Sequence, residues 1–193
     1  MPRHSVRDQV LAAGLEVFRT HGYHASSVQD ITTAAGVPKG SFYNHFAGKE
    51  ALAVASIYEY VAESPVAILL DASAGTPLER LRAHFDTYSE RFIASKFTRG
   101  CLMGNFANEI ADHSDSVRET LAGAFDGWCA LIEALLVEAQ QAGDIAAQSN
   151  PADLAAFVVN SWEGALTRAR VTNTEEPLRI FFDTVFGVVL QEA

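Results

Sequence analysis

Residues 28–50 read VQDITTAAGVPKGSFYNHFAGKE, preceded by Ser27. Ser27 followed three residues later by Asp30 is a capping-box start, because a hydroxyl and a short acid can satisfy the free amides of a first helical turn. The helix it opens runs over Val28–Ala35 and stops at Gly36. Val37-Pro38-Lys39-Gly40-Ser41 then starts a third short helix, with Pro38 near the position where a missing amide costs nothing. Two short helices joined through a glycine turn make a helix-turn-helix.

The same stretch carries groups suited to a DNA backbone. Gly40 and Ser41 are small where a recognition helix must approach phosphates. Lys39 can neutralise a phosphate or reach a guanine edge, and Tyr43 can donate to a phosphate while its ring touches a thymine methyl. Phe42 and Phe46 are expected to face inward against Val10, Leu11, Val17, Phe18 and Ile31. The amide end of the second helix and Lys49 at the start of the fourth are suited to clamping phosphates. A purely structural hairpin with solvated polar groups would use similar residues. The joint spacing of Gly36, Lys39-Gly40, Tyr43 and Phe46 favours DNA reading.

Working outward, a first helix is predicted over about Ser5–Thr20, with Val10, Leu11, Gly14, Leu15, Val17 and Phe18 on one face and Gly22 as its stop. The body is helical too. One long helix is predicted over Lys49–Asp71, bent at Pro65, then another over Pro77–Ser95. The pattern fails around Lys96–Leu102, and a short segment follows over Met103–Ala111. A sustained stripe from Val117 to Ala139 makes a long helix, and two more open at Pro151 and Pro177. No strand-period alternation competes. The reading is an all-α chain of about nine helices. A three-helix DNA-binding domain occupies 1–48, and a helical effector-binding and dimerisation domain occupies 49–193.

Composition narrows the class. The chain has 193 residues, 49% apolar and 20% charged, which excludes a disordered chain. No apolar run approaches the roughly 18–20 residues of a bilayer span, and the polar N-terminus Met1–Asp8 has no signal core. Two cysteines cannot build a disulfide framework, so a reducing cytoplasm is the expected compartment. The net charge of −10 is unevenly spread. Residues 1–50 hold Arg3, Arg7, Arg19, Lys39 and Lys49 against four acids, for +1, and also His4, His21, His24 and His45; the remainder holds nine basic and twenty acidic residues, for −11. An acidic body behind a mildly basic head suggests two jobs in one chain.

The run from Gly36 to Phe46, followed by Lys49-Glu50, resembles the DNA-binding signature of the TetR family of bacterial repressors. The resemblance covers residues 5–50, and the helical remainder has the family's size and layout. It implies a DNA contact set of Ser27, Lys39, Gly40, Ser41, Tyr43, Asn44, His45 and Lys49 on a double-stranded operator. It also implies a homodimer paired through the last two helices, residues 151–170 and 177–190. The apolar stripes there fit either monomer core or that interface, and a charge at Val158 or Phe182 should break the dimer or unfold the chain.

Arg99-Gly100-Cys101-Leu102 is similar to a GCL element in a subgroup that includes the electrophile-sensing repressor of N-ethylmaleimide reductase, whose matching cysteine is reactive. That role would fall on Cys101, where Arg99 and a helix start both favour thiolate; a buried packing cysteine is the alternative. Cys129 reads as packing. Phe85, Tyr88, Phe92, Asn105, Phe106, Phe125, Trp128 and Trp162 describe either an aromatic effector cavity or plain core. Glu109 and His113, four apart, make only half a metal site, so neither metal nor cofactor is expected. The expected function is a ligand-responsive transcriptional regulator, not an enzyme, with a small-molecule effector and no membrane partner. An enzyme or redox protein using Cys101 as nucleophile is the competing class, and it lacks an oriented base.

Overall fold

A computed structural model describes residues 5–191 of the chain, so Arg3 and His4 of the basic head lie outside the described residues. Every regular element among those residues is helical. In order they are α1 (Val6–His21), α2 (Val28–Ala35), α3 (Lys39–Tyr43), α4 (Lys49–Ala62), α5 (Val66–Leu70), α6 (Pro77–Ala94), α7 (Leu102–Glu109), α8 (Asp115–Ala142), α9 (Pro151–Thr172) and α10 (Glu176–Thr184). A 3-10 turn covers Ala72–Ala74, and a π-helical turn covers Val185–Val189.

The helices group into two packed units. The first holds residues up to Glu63 together with Cys101–Ala124; the second holds Ser64–Gly100 and the chain from Phe125 onward. The motif divides the sequence at 48/49, whereas packing joins α4, α7 and the start of α8 to the head.

In the first unit α1 packs on α2, α3 and α4. Its apolar face (Val10, Leu11, Leu15, Val17, Phe18) is buried, as the spacing predicts. Gly14 lies on that face, and a Cβ added there would stand 2.6 Å from Leu52 Cδ2, so the Leu52 side chain of α4 fills the space a side chain at Gly14 would need. Phe42 and Phe46 are buried with Ile31, which fixes the short α3 against the head. A five-residue helix has too few internal bonds to hold itself, so this anchoring decides its position.

The second unit is organised around buried rings. Phe85 stands 5.1 Å from Trp162 and 5.1 Å from Phe181, centroid to centroid, with Trp128 at 5.9 Å. Inside the cluster lies His84, fully buried. Trp128 Nε1 donates to His84 Nε2 at 3.0 Å, so Nδ1 carries the proton and donates to the Pro65 carbonyl at 3.1 Å. Burial pushes the imidazole down to about 4, against a weaker raising effect from its bond to Pro65. Arg80, also buried, donates to the Leu69 carbonyl at 2.9 Å and pairs with Glu138.

Several expectations need correction. The helix predicted over 49–71 is two helices, because Pro65 offers no amide and crowds the carbonyl four residues earlier; α4 ends at Ala62 and α5 starts at Val66. That split takes the count from about nine to ten α-helices among the described residues. The last helix becomes π-helical at Val185, where Leu190 N–H donates to the Val185 carbonyl at 2.8 Å. α8 contains an 18-residue window of mean hydropathy 1.5, long and apolar enough by composition to cross a bilayer, which counting unbroken apolar runs overlooks. Val158 is fully buried and Phe182 nearly so, hence both are core of their own chain. The exposed large apolar residues of the last two helices are instead Phe157, Val171, Ile180 and, in the π turn, Val188.

Because His84 is neutral in the fold but takes a proton near 6.5 when unfolded, the unfolded chain binds more protons between pH 6.5 and about 4. Stability is therefore flat in this group above pH 6.5 and falls as pH drops. Between pH 7.5 and 5.0 its share of the loss is about 2 kcal/mol. Urea midpoints at the two pH values should show that loss in the wild type and a smaller one in His84→Gln, which keeps a donor and an acceptor. Equal losses would remove His84 from the account.

Candidate nucleic-acid interface

The second and third helices present a continuous polar edge. α2 begins at Ser27, whose N–H and Oγ–H both donate to Asp30 Oδ2, at 2.9 and 2.6 Å, while Asp30 N–H donates back to Ser27 Oγ at 3.1 Å. Those bonds to Ser27, the side-chain one first, hold the Asp30 carboxyl below its usual range. Ser27 is thus spoken for by the capping box, and α2 offers its remaining first-turn amides rather than this hydroxyl.

α2 ends in Gly36, at φ 67° and ψ 29°, with its N–H on the Thr32 and Thr33 carbonyls. The left-handed turn suits glycine and redirects the chain into Pro38 and α3. From there Lys39, Gly40, Tyr43, Asn44 and His45 are exposed and Ser41 half-buried, while Phe42 and Phe46 alternate into the core. Tyr43 shows 55% of its surface. A Cβ at Gly40 would meet nothing within 4 Å, so the helix is open there to close approach by another backbone. Of the predicted set from Lys39 to His45, all but the half-buried Ser41 are thus exposed.

Lys49 departs from expectation. Its ammonium donates to the Tyr23 carbonyl at 2.8 Å and the Ser26 carbonyl at 2.7 Å, and stands 4.1 Å from the Tyr23 ring centroid. Burial pushes its proton affinity down, and the Glu109 charge raises it back. Two of its three hydrogens are consumed inside the fold, closing the turn between α1 and α2. Sequence shows a lysine at a helix start; only the fold shows carbonyls 26 and 23 residues earlier waiting for it.

The expected effector residues divide between the units. Phe85, Tyr88, Phe92, Phe125, Trp128 and Trp162 belong to the second, whereas Cys101, Asn105 and Phe106 belong to the first. Phe85, Tyr88, Trp128 and Trp162 do gather, together with His84 and Phe181, which the cavity reading omits. Phe92 packs edge-on against Phe97 at 5.5 Å, next to consecutive positive φ angles at Lys96 and Phe97 that end α6. Phe106 packs on Phe18 at 5.3 Å and Tyr23 at 5.9 Å. Cys101 is the buried N-cap of α7; Cys129 is half-buried, its thiol pushed up by burial and by Asp126. Glu109 accepts from the His24 amide. No group of three or more metal-ligating side chains occurs among the described residues. A half-open cleft of about 470 Å³ between α9 and α10, lined by Phe157, Ser161, Arg168, Ile180 and Phe181 among others, was not foreseeable from periodicity.

Residues 10–56 match the family profile described as bacterial regulatory proteins, tetR family, and residues 77–185 match the tetracyclin repressor-like C-terminal domain. The chain belongs to the TetR family. It is 37% identical to the HTH-type transcriptional repressor DhaR of a Mycobacterium species (strain GP1), over 98% of this chain and 95% of that one. A crystal structure of a TetR regulatory protein from Rhodobacter sphaeroides superposes with TM-score 0.88 at 34% identity, covering 94% and 97% of the two chains. The reduced form of Escherichia coli NemR gives 0.83 at 26%, covering 96% and 97%. This TetR-family chain is a DNA-binding transcriptional regulator, and the profile over 77–185 includes the whole of apolar α8.

The geometry separates two lysines. Lys49→Met should lower the melting temperature by several degrees, since it leaves two carbonyls of the turn without a donor; Lys39→Ala, on an exposed side chain, should leave it unchanged. Equal melting temperatures in thermal denaturation would return Lys49 to the phosphate-clamping role.

Proposed function

We propose that the chain is a cytoplasmic, homodimeric repressor that binds a palindromic operator through α3 and lets go when a small molecule reaches its body. In this reading 1–48 is the DNA-reading domain and 49–193 the effector and dimer domain. The observation that carries it is the set Lys39, Gly40, Tyr43, Asn44 and His45, exposed beside half-buried Ser41 on a segment pinned from behind by Phe42 and Phe46. Lys39 and Tyr43 reach phosphates and base edges, Gly40 and Ser41 permit close approach, and Asn44 and His45 complete the backbone contacts. The first-turn amides of α2, opened by Ser27, add a phosphate site.

One head covers a short half-site, so affinity requires a pair at fixed spacing. The exposed apolar residues Phe157 and Ile180, beside the cleft between α9 and α10, support pairing through those helices. The ring cluster around Phe85, Tyr88, Trp128 and Trp162 is the proposed receiving surface for an uncharged effector. Cys101, the buried N-cap of α7, is the proposed point of attack for an electrophile, on the resemblance of its Gly100-Cys101-Leu102 setting.

Tyr43→Ala and Lys39→Ala should each weaken operator binding by at least tenfold in fluorescence anisotropy, at about 1–3 kcal/mol per lost contact, with helicity unchanged. Wild-type affinity in both would contradict the reading. For assembly, Ile180→Asp should give a folded monomer by light scattering, whereas Val158→Asp should lose helicity altogether. A dimeric Ile180→Asp protein would move the interface elsewhere.

A further inference from the structure

The turn between α1 and α2 is gripped from α7 by one residue. Gly22 ends α1 at φ 77°, and a Cβ built on it would stand 2.5 Å from Glu109 Oε1 and 3.0 Å from Oε2. Glu109 Oε2 accepts the His24 backbone N–H at 3.0 Å, and the Glu109 carbonyl lies 2.6 Å from His24 Nε2. One helical turn earlier, Phe106 packs edge-on against Phe18 and Tyr23. On the other side, the Lys49 ammonium holds the Tyr23 and Ser26 carbonyls, and the Glu109 charge favours it. Ser26 Oγ closes the turn on the Gly22 carbonyl at 2.5 Å. The next residue, Ser27, is the cap of α2.

Nothing in the DNA-reading edge touches Glu109, yet where the turn goes, α2 and α3 follow. α7 is a two-turn helix with Cys101 at its first end and Glu109 at its last, about 12 Å away at the rise of an α-helix.

We infer that Glu109 is a positioning residue for operator binding: its carboxylate sets the α1–α2 turn, and through it the placement of α2 and α3. This rests on the assignment of Lys39–His45 as the reading edge. The sign of the effect is what makes it testable. Removing an acidic side chain from a DNA-binding head should, by charge alone, tighten binding. Removing the grip should weaken it.

The operator duplex is recovered by selection from random-sequence DNA with the wild-type protein, and affinities are measured by fluorescence anisotropy well below the melting temperature. Glu109→Ala should bind at least tenfold more weakly than wild type, with an unchanged slope of affinity against salt because no phosphate contact is lost. Glu109→Gln, which keeps an acceptor for the His24 amide, should recover most of the affinity. If Glu109→Ala binds as tightly as wild type or tighter, or if it changes only the melting temperature, Glu109 does not position the head. Should Lys39→Ala and Tyr43→Ala bind normally to the same duplex, the reading edge itself is misassigned, which is a separate failure.

Discussion

The Lys49 ammonium on the carbonyls of Tyr23 and Ser26 is the interaction on which the head depends. A turn leaving a helix exposes carbonyls that the helix no longer satisfies, and a half-buried turn cannot leave them to water. Lys49 answers that need from the first residue of α4, with the Tyr23 ring beneath its charge and Glu109 nearby. The positive charge at a helix start is unfavourable in itself. Two carbonyls, an aromatic face and a carboxylate act against that, while burial adds to it. Because α4 also crosses α1 at the side-chain gap of Gly14, the turn is held relative to the first helix as well.

That arrangement leaves the proposed DNA-reading residues of α3 with little structural duty. α3 contributes Phe42 to the core, with Phe46 just beyond it, and spends the intervening positions on solvent-facing polar groups. The division would let a five-residue helix serve as the proposed recognition element. Its rigidity is borrowed from the packing beneath it, and its outward groups can be chosen for DNA alone.

Local chemistry was legible in the sequence wherever one short stretch decided it. Ser27 with Asp30, the Gly36 stop, Pro38 and the alternation at Phe42 and Phe46 all fall where the spacing predicts. Long-range partners were not legible. Lys49 looks like a phosphate clamp until the carbonyl of Tyr23, 26 residues earlier, is placed beside it, and His24 meets Glu109 across 85 residues. Phase was a second obstacle: Val158 and Phe157 are neighbours on a wide apolar stripe, and only packing tells which one faces out. At Pro65 a bend was the sequence reading, and the structure shows a break, with α4 ending three residues earlier. In the second unit, the aromatic residues were recognisable as a set, but His84 within them was not, because its role comes from Trp128 and Pro65 together.

The central claim is that the DNA-reading edge is held in place before DNA arrives, by contacts to the turn at residues 22–26. Amide hydrogen exchange, measured with and without operator, tests it directly. The His24 and Ser26 amides, bonded to Glu109 and to the Tyr23 carbonyl, should already exchange slowly in the free protein and change little on binding, while segment 38–46 gains protection. Fast exchange at His24 and Ser26 in the free protein, slowed only by operator, would mean that DNA orders the turn, and would contradict the account.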